Sequence, residues 1–124
     1  MEKSRVLNIL VVDNEKEICR MFEKWFSLES HQVKTVLTGR QAISLVKTNS
    51  FDIVFLNVIL AELQGNEVLE KIKEISPKIK VIMMSGKLLN KNLLRDIRKK
   101  GASGFLQKPF SIEDLHNLLD SLGD

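Results

Sequence analysis

The sequence has a single cysteine, Cys19, among 124 residues. A lone cysteine excludes an internal disulfide and any multi-cysteine metal site, and it fits a reducing, cytoplasmic setting. No apolar stretch approaches the ~18 residues of a membrane-spanning helix. The amino-terminal MEKSRVLNILVVD has too short an apolar run for a signal peptide and reaches an acid at Asp13. Internal repeats, low-complexity tracts and linkers are also lacking. Neither sign of charge dominates: 19 Lys and Arg stand against 16 Asp and Glu, a net charge of +3 with a pI near 9.1. That balance permits an acidic partner without indicating nucleic acid. Integral-membrane, disulfide-rich secreted and collagen-like classes are thereby removed.

What is present is ordinary for a soluble globular chain: 44% hydrophobic and 28% charged residues, too apolar for disorder. The length suits one domain, spanning 1–124, that can bury a real core, since roughly two-thirds of the unfolded surface leaves water at ~150 residues. Short apolar runs recur at Asn8–Val12, Val33–Leu37, Ile53–Leu56, Val81–Met84 and Phe105–Gln107. The nearly continuous ones suit strands buried on both faces, and the mixed Val33–Leu37 suits a strand nearer an edge. Between the runs the period becomes helical. Ile18, Met21, Phe22, Trp25 and Phe26 form one stripe; Ala42, Leu45 and Val46 form another behind a Thr38-x-x-Gln41 capping box. Val68, Ile72 and Ile75 form a third, ended by Ser76-Pro77. Leu93, Leu94 and Ile97 precede Arg98-Lys99-Lys100-Gly101, a basic last turn with a glycine stop. Leu115, Leu118, Leu119 and Leu122 follow Ser111 as N-cap with Asp114 at N3. Five βα repeats of this kind predict an α/β fold: a five-stranded parallel sheet, doubly wound as (βα)5.

In open parallel sheets, ligands gather beyond the carboxyl ends of the strands. Directly after the predicted strands come Asp13, Asn14 and Glu15, then Asn57, then Ser85-Gly86, then Lys108-Pro109. Any one of these is an ordinary cap or turn residue. Together they bring a carboxylate, amides, a hydroxyl and an ammonium to one end of the sheet. A hydroxyl and a lysine can hold phosphoryl oxygens, carboxylates can hold Mg²⁺, and a strand-end carboxylate can act as a nucleophile.

On the pieces ILVVDNE (9–15), TGRQAISLV (38–46), FDIVFLNVIL (51–60), QGNEVLEKIK (64–73), VIMMSG (81–86) and GASGFLQKPF (101–110), the sequence resembles the receiver domain of two-component response regulators, the chemotaxis-response-regulator-like fold. The resemblance implies a flavodoxin-like strand order 2-1-3-4-5 and bacterial-type phosphorelay signalling. It implies that Asp13 and Asn14 stand where receivers carry an acidic Mg²⁺-holding pair. Asn57 then stands at the aspartate that accepts a phosphoryl group, and the backbone carbonyl of Ile59 at a main-chain metal ligand. Ser85 matches the phosphoryl-binding hydroxyl and switch residue, Lys108 the lysine that pairs with the acceptor, and Phe105 the switch aromatic. The Lys108–Pro109 bond matches one that is often cis.

Two departures stand out. Asn57 is an amide, which is uncharged, a poor nucleophile and unable to form an aspartyl phosphate. Asn14 removes a second carboxylate. Asp52 cannot compensate, because five residues of strand put it roughly 16 Å from Asn57. Mg²⁺ binding is therefore expected to be weak or absent. Ala61, where a proline is frequent, and Gln64, where an acid is common, are smaller departures. Restoring acids at 14 and 57 would lower the net charge from +3 to +1.

These observations leave a phosphorelay receiver whose acceptor has been replaced by its near-isosteric amide, or a degenerate receiver kept as a phosphorylation-independent interaction module. In the second, Asn57 and Lys108 would form a neutral hydrogen-bonded pair, with Lys108 freer to find another partner. A haloacid-dehalogenase-like phosphatase is disfavoured because Asp13-Asn14-Glu15 is not D-x-D. A dinucleotide-binding oxidoreductase lacks its G-x-G-x-x-G, and a flavin site its phosphate loop. No enzymatic activity is expected.

Expected partners are a sensor histidine kinase or phosphotransfer protein and an output protein or domain. The fourth helix and its approach are basic (Lys87, Lys91, Arg95, Arg98, Lys99, Lys100), whereas the fifth carries Glu113, Asp114 and Asp120. That pairing suits a homodimer through the fourth helix, fifth strand and fifth helix. Direct nucleic-acid binding finds no motif in support. His31 and His116 lack metal-ligand spacing and read as surface residues, and Trp25 reads as core. Cys19 has no neighbouring base to activate it.

Overall fold

Alternation of buried side chains builds the sheet. A computed structural model describes residues 6–60, 63–87 and 89–122; Ala61, Gly123 and Asp124 lie outside them. The strands are β1 (Asn8–Val12), β2 (Gln32–Val36), β3 (Ile53–Asn57), β4 (Lys80–Ser85) and β5 (Gly104–Gln107). They alternate with α1 (Lys16–Leu28), α2 (Gly39–Thr48), α3 (Gly65–Ile75), α4 (Lys91–Lys99) and α5 (Ile112–Ser121). All pairings are parallel, in the order β2-β1-β3-β4-β5, so the predicted (βα)5 architecture and strand order hold. Successive strand residues point to opposite faces. Ile9, Val11, Ile53, Phe55, Ile82 and Met84 therefore pack with α1 and α5, around Phe22, Phe26 and Leu115. Leu10, Val12, Val54, Leu56, Val81 and Met83 pack with α2, α3 and α4. The central strands are buried on both faces, while β2 and β5 form the edges.

Caps fix the helix starts. Thr38 Oγ1 accepts from Gln41 N at 3.2 Å, but the Gln41 side chain returns to Leu37 N, one residue before the expected reciprocal bond. Ser111 is the N-cap of α5 as expected, and with Asp114 at N3 it forms a reciprocal capping box. A second box, Gln64 with Glu67, starts α3; its Q-x-x-E signal lay in the sequence unused. Gly101 takes φ +109°, the left-handed conformation that glycine adopts without a Cβ clash, and closes α4.

Several boundaries differ from expectation. β2 begins and ends one residue earlier, β4 gains a residue at each end, and β5 starts one residue sooner. Strand pairing is a backbone property, so Gln32, Lys80 and Ser85 join ladders that an apolar pattern stops short of. Ile75 is exposed at the end of its stripe, because the helix terminates there. His31 is not a surface residue. Its Nδ1 accepts the Leu7 N–H at 3.0 Å and its ring packs edge-on against Phe26. His116 pairs with Glu29, which joins α5 to the end of α1. Trp25 is half-buried against Phe22 and Phe110. Among the described residues, no helix is long and apolar enough to cross a membrane.

Candidate functional site

Three polar residues are buried in the described chain: Asp13, Asn57 and Ser85. All lie at the carboxyl ends of β1, β3 and β4. Asn57 and Ser85 are the last residues of their strands, not the first beyond them, so backbone pairing holds both. Lys108 follows β5 directly, with its main-chain N–H on Ser85 O at 2.7 Å and a cis bond to Pro109. Asn14 is exposed at the rim. Asp52 sits at the opposite end of β3, where its Oδ2 accepts the Asn8 N–H.

Each polar group is already engaged. Asp13 is fully buried; its Oδ1 accepts the Glu15 N–H at 2.9 Å, and its Oδ2 accepts from Lys108 Nζ at 2.7 Å. Lys108 Nζ also donates to Glu15 Oε1 at 3.1 Å. Asn57 Nδ2 donates to the Ile59 carbonyl at 2.7 Å. Ser85 Oγ donates to Lys87 O and accepts from Lys87 N, each at 3.0 Å. No buried side-chain nitrogen or oxygen of the described residues lacks a partner.

The expected Asn57–Lys108 hydrogen bond is not formed. A charged donor gains more from carboxylates than from a neutral amide, and Asp13 and Glu15 lie within its reach. The amide donates to the Ile59 carbonyl, two residues on, instead. The second half of that expectation, that Lys108 would find another partner, is what the geometry has.

Two contributors escaped the sequence reading. Gln107 Nε2 reaches both Ser85 O and Lys108 O at 3.3 Å, tying β4 to the lysine's own backbone. A polar residue closing a strand just before Lys-Pro was the available signal. Gly65 is the other. A Cβ there would stand 2.5 Å from Asn57 O and 2.6 Å from Val58 O, so only glycine lets α3 start against the end of β3. Cys19 is buried beside the site with Sγ toward Asp13 O at 3.5 Å. Burial, and then the Asp13 charge, push its thiol above the ordinary range, so it stays protonated and unreactive at neutral pH.

Phe105 is half-buried in β5 and lines a cavity of about 260 Å³ with Leu94, Ile97 and Arg98 of α4. On α4, Lys100 pairs with Asp96 at 3.1 Å. The side chains of Lys91, Arg95 and Arg98 have no hydrogen bond or ion pair among the described residues.

The pocket holds one fully buried carboxylate, one exposed carboxylate, an amide and a hydroxyl around one ammonium. Among the described residues, no group of three or more His, Cys, Asp or Glu is arranged to hold a metal ion.

The response regulator receiver domain model matches residues 9–120. Receiver domains are, in general, non-catalytic modules of two-component signalling that bind Mg²⁺ and meet histidine kinases and output partners. The response regulator SaeR of Staphylococcus epidermidis is 29% identical over 108 residues, covering 87% of this chain and 46% of that protein. The chain thus spans about half the length of that curated relative. A chain in the CheX–CheY–BeF3–Mg²⁺ complex of Borrelia burgdorferi superposes with a TM-score of 0.87 at 27% identity, over 94% of this chain and 88% of the other. The CheY-like receiver domain protein of Methanospirillum hungatei has the same fold, with a TM-score of 0.87 at 24% identity, over 95% and 94% of the two chains. With the model spanning β1 to α5 and the polar groups at the sheet's carboxyl end, this chain belongs to the response regulator receiver domain family.

Proposed function

We propose that this chain is a receiver domain in which Asn57 stands at the phosphoacceptor position, and that it works without aspartyl phosphorylation there. The observation that carries the reading is the bond from Asn57 Nδ2 to the Ile59 carbonyl. An amide at that point offers no anionic oxygen to attack phosphorus, and its N–H₂ uses the carbonyl that would serve as a main-chain metal ligand.

The residues present do not fit Mg²⁺. A hard cation needs oxygen ligands with several carboxylates or a phosphate. Asp13 is the only buried carboxylate among the described residues, and Lys108 already neutralises it. Asn14 contributes no charge, and the Ile59 carbonyl faces a donor. Holding the ion would break the 2.7 Å Lys108–Asp13 bond and turn the Asn57 amide over. Calorimetry is expected to give no micromolar Mg²⁺ affinity. Intact-mass measurement after incubation with acetyl phosphate and Mg²⁺ is expected to find no added phosphoryl group. Either a micromolar affinity or a phosphorylated chain would sink the proposal.

The signalling role then rests on surfaces. Partners are a sensor kinase or phosphotransfer protein on the input side and an output protein or domain. Lys91, Arg95 and Arg98 of α4 surround Leu94, and Arg98 also borders the half-buried Phe105, while α5 presents Glu113 and Asp120 to solvent. Charge complementarity favours an acidic partner on α4, and a second copy of the chain can supply one through α5. Exposed charges are screened beyond ~8 Å at physiological salt. Self-association measured by sedimentation should therefore weaken as salt rises. Salt-independent monomers at high concentration would remove the dimer reading.

A further inference from the structure

At the end of the sheet opposite the polar pocket, a concavity of about 300 Å³ opens where β1, β3 and β4 begin. Its lining is mixed, and the apolar part comes from Phe51 and Ile53 at the β3 entry, Ile79 of the α3–β4 turn, and Leu119 and Leu122 of α5 and its C-cap. Among the described residues, its polar lining carries more positive than negative charge, with Lys78 and Lys80 against Asp52. The Asp52 carboxylate serves the fold, since its Oδ2 accepts the Asn8 N–H at 2.8 Å. Lys80 Nζ donates to Leu122 O at 2.9 Å, which uses one of its three N–H groups. Lys78 is exposed and has no hydrogen bond or ion pair among the described residues.

We propose that this concavity is a binding site for a small apolar anion: a carboxylate or sulfonate on a one- or two-ring hydrocarbon body. The volume lies at the lower end of small-molecule sites, which join an apolar lining to a few placed polar groups. The hydrocarbon body would cover Phe51, Ile79 and Leu119, and the anionic head would meet Lys78 and the spare donors of Lys80. A neutral apolar body would leave Lys78 and the spare donors of Lys80 without an anionic partner, and a cation would be repelled by them. Because Lys80 also holds Leu122 O, an anion there would share the ammonium with the end of α5. The site is independent of the acceptor-position reading, because β3 and β4 separate the two ends of the sheet by roughly 16 Å.

The test is a ¹H–¹⁵N titration of the chain with 1-naphthoate, alongside the neutral isostere 1-naphthalenemethanol. Saturable shifts are expected at Phe51–Ile53, Lys78–Lys80 and Leu119–Leu122. Affinity should be about tenfold weaker for the alcohol, and about tenfold weaker for naphthoate in Lys78→Glu, since a hydrogen bond to a charged group is of that order. Lys78 is exposed, so this variant keeps its fold; unchanged circular dichroism is the control. Filling the space with Leu119→Trp should abolish the same shifts. The assignment is overturned if no saturable shifts occur there, if they gather on α4 or at the polar pocket, or if alcohol and acid bind equally.

Discussion

Asn57→Asp is expected to gain one phosphoryl group from acetyl phosphate in the presence of Mg²⁺, where the parent chain gains none. The chemistry requires one substitution to supply two missing properties. A carboxylate oxygen at this position can attack phosphorus, forming a mixed anhydride as acetate departs, whereas the amide cannot. The carboxylate also cannot donate a hydrogen bond, so the Ile59 carbonyl loses the N–H that now occupies it at 2.7 Å. Lys108 and Ser85 stand at the carboxyl ends of β5 and β4. Lys108 Nζ is held by Glu15, whose carboxylate is exposed, and by Asp13, and can exchange the former for a new anion. Ser85 is 2% exposed at the end of the neighbouring β4, with its hydroxyl turned to Lys87. The rate should stay low, because Asn14 still withholds a carboxylate from the cation. Adding Asn14→Asp should then raise the rate further. Intact mass and tryptic mapping to residue 57 give the readout. A folded Asn57→Asp chain that gains no mass would mean that the pocket has lost more than its acceptor.

How far the sequence disclosed this can be judged residue by residue. Strand identity followed from apolar runs that two-sided burial requires, and Ile9–Val12, Val54–Leu56 and Val81–Met84 are indeed buried throughout. Strand ends were less legible, because hydrogen-bonded pairing carries Lys80, Ser85 and Asn57 into the ladder irrespective of their polarity. The convergence of Asp13, Asn57, Ser85 and Lys108 followed from topology alone. Which of them bond to one another did not. That choice depends on reach and charge: Lys108 selects two carboxylates over one amide, although Asn57 was its expected partner. His31 was misread for a similar reason. Its acceptor role toward Leu7 N is set where β1 and β2 begin side by side, 24 residues apart in sequence. Gly65 announces nothing by itself, and only the approach of α3 to the β3 end gives it meaning.

Lys108→Met is expected to lower the free energy of unfolding by about 3–5 kcal/mol, the cost typical of leaving one partner of a buried ion pair unanswered. Asp13 is fully buried, and the Lys108 side chain is only 11% exposed, so water can replace little of the lost interaction. After the substitution, Asp13 would keep one charge-assisted bond, from the Glu15 N–H at 2.9 Å. That bond serves Oδ1 and leaves Oδ2 facing methionine. The Lys108–Glu15 contact contributes little to this loss: the Glu15 side chain is 61% exposed, and such pairs stabilise by at most about 1 kcal/mol. Glu15→Gln should therefore shift the urea midpoint only slightly, whereas Lys108→Met should shift it strongly at unchanged slope. Asp13→Asn in the Lys108→Met background removes the stranded charge and should recover most of the loss, making the two sites non-additive by more than ~1 kcal/mol. Additive single effects, or a Lys108→Met loss below ~1 kcal/mol, would mean that the pocket admits water and that the lysine does not hold it closed. The expected strong coupling would instead identify the ammonium as the group that answers the buried Asp13, in a pocket where an amide stands at the end of β3.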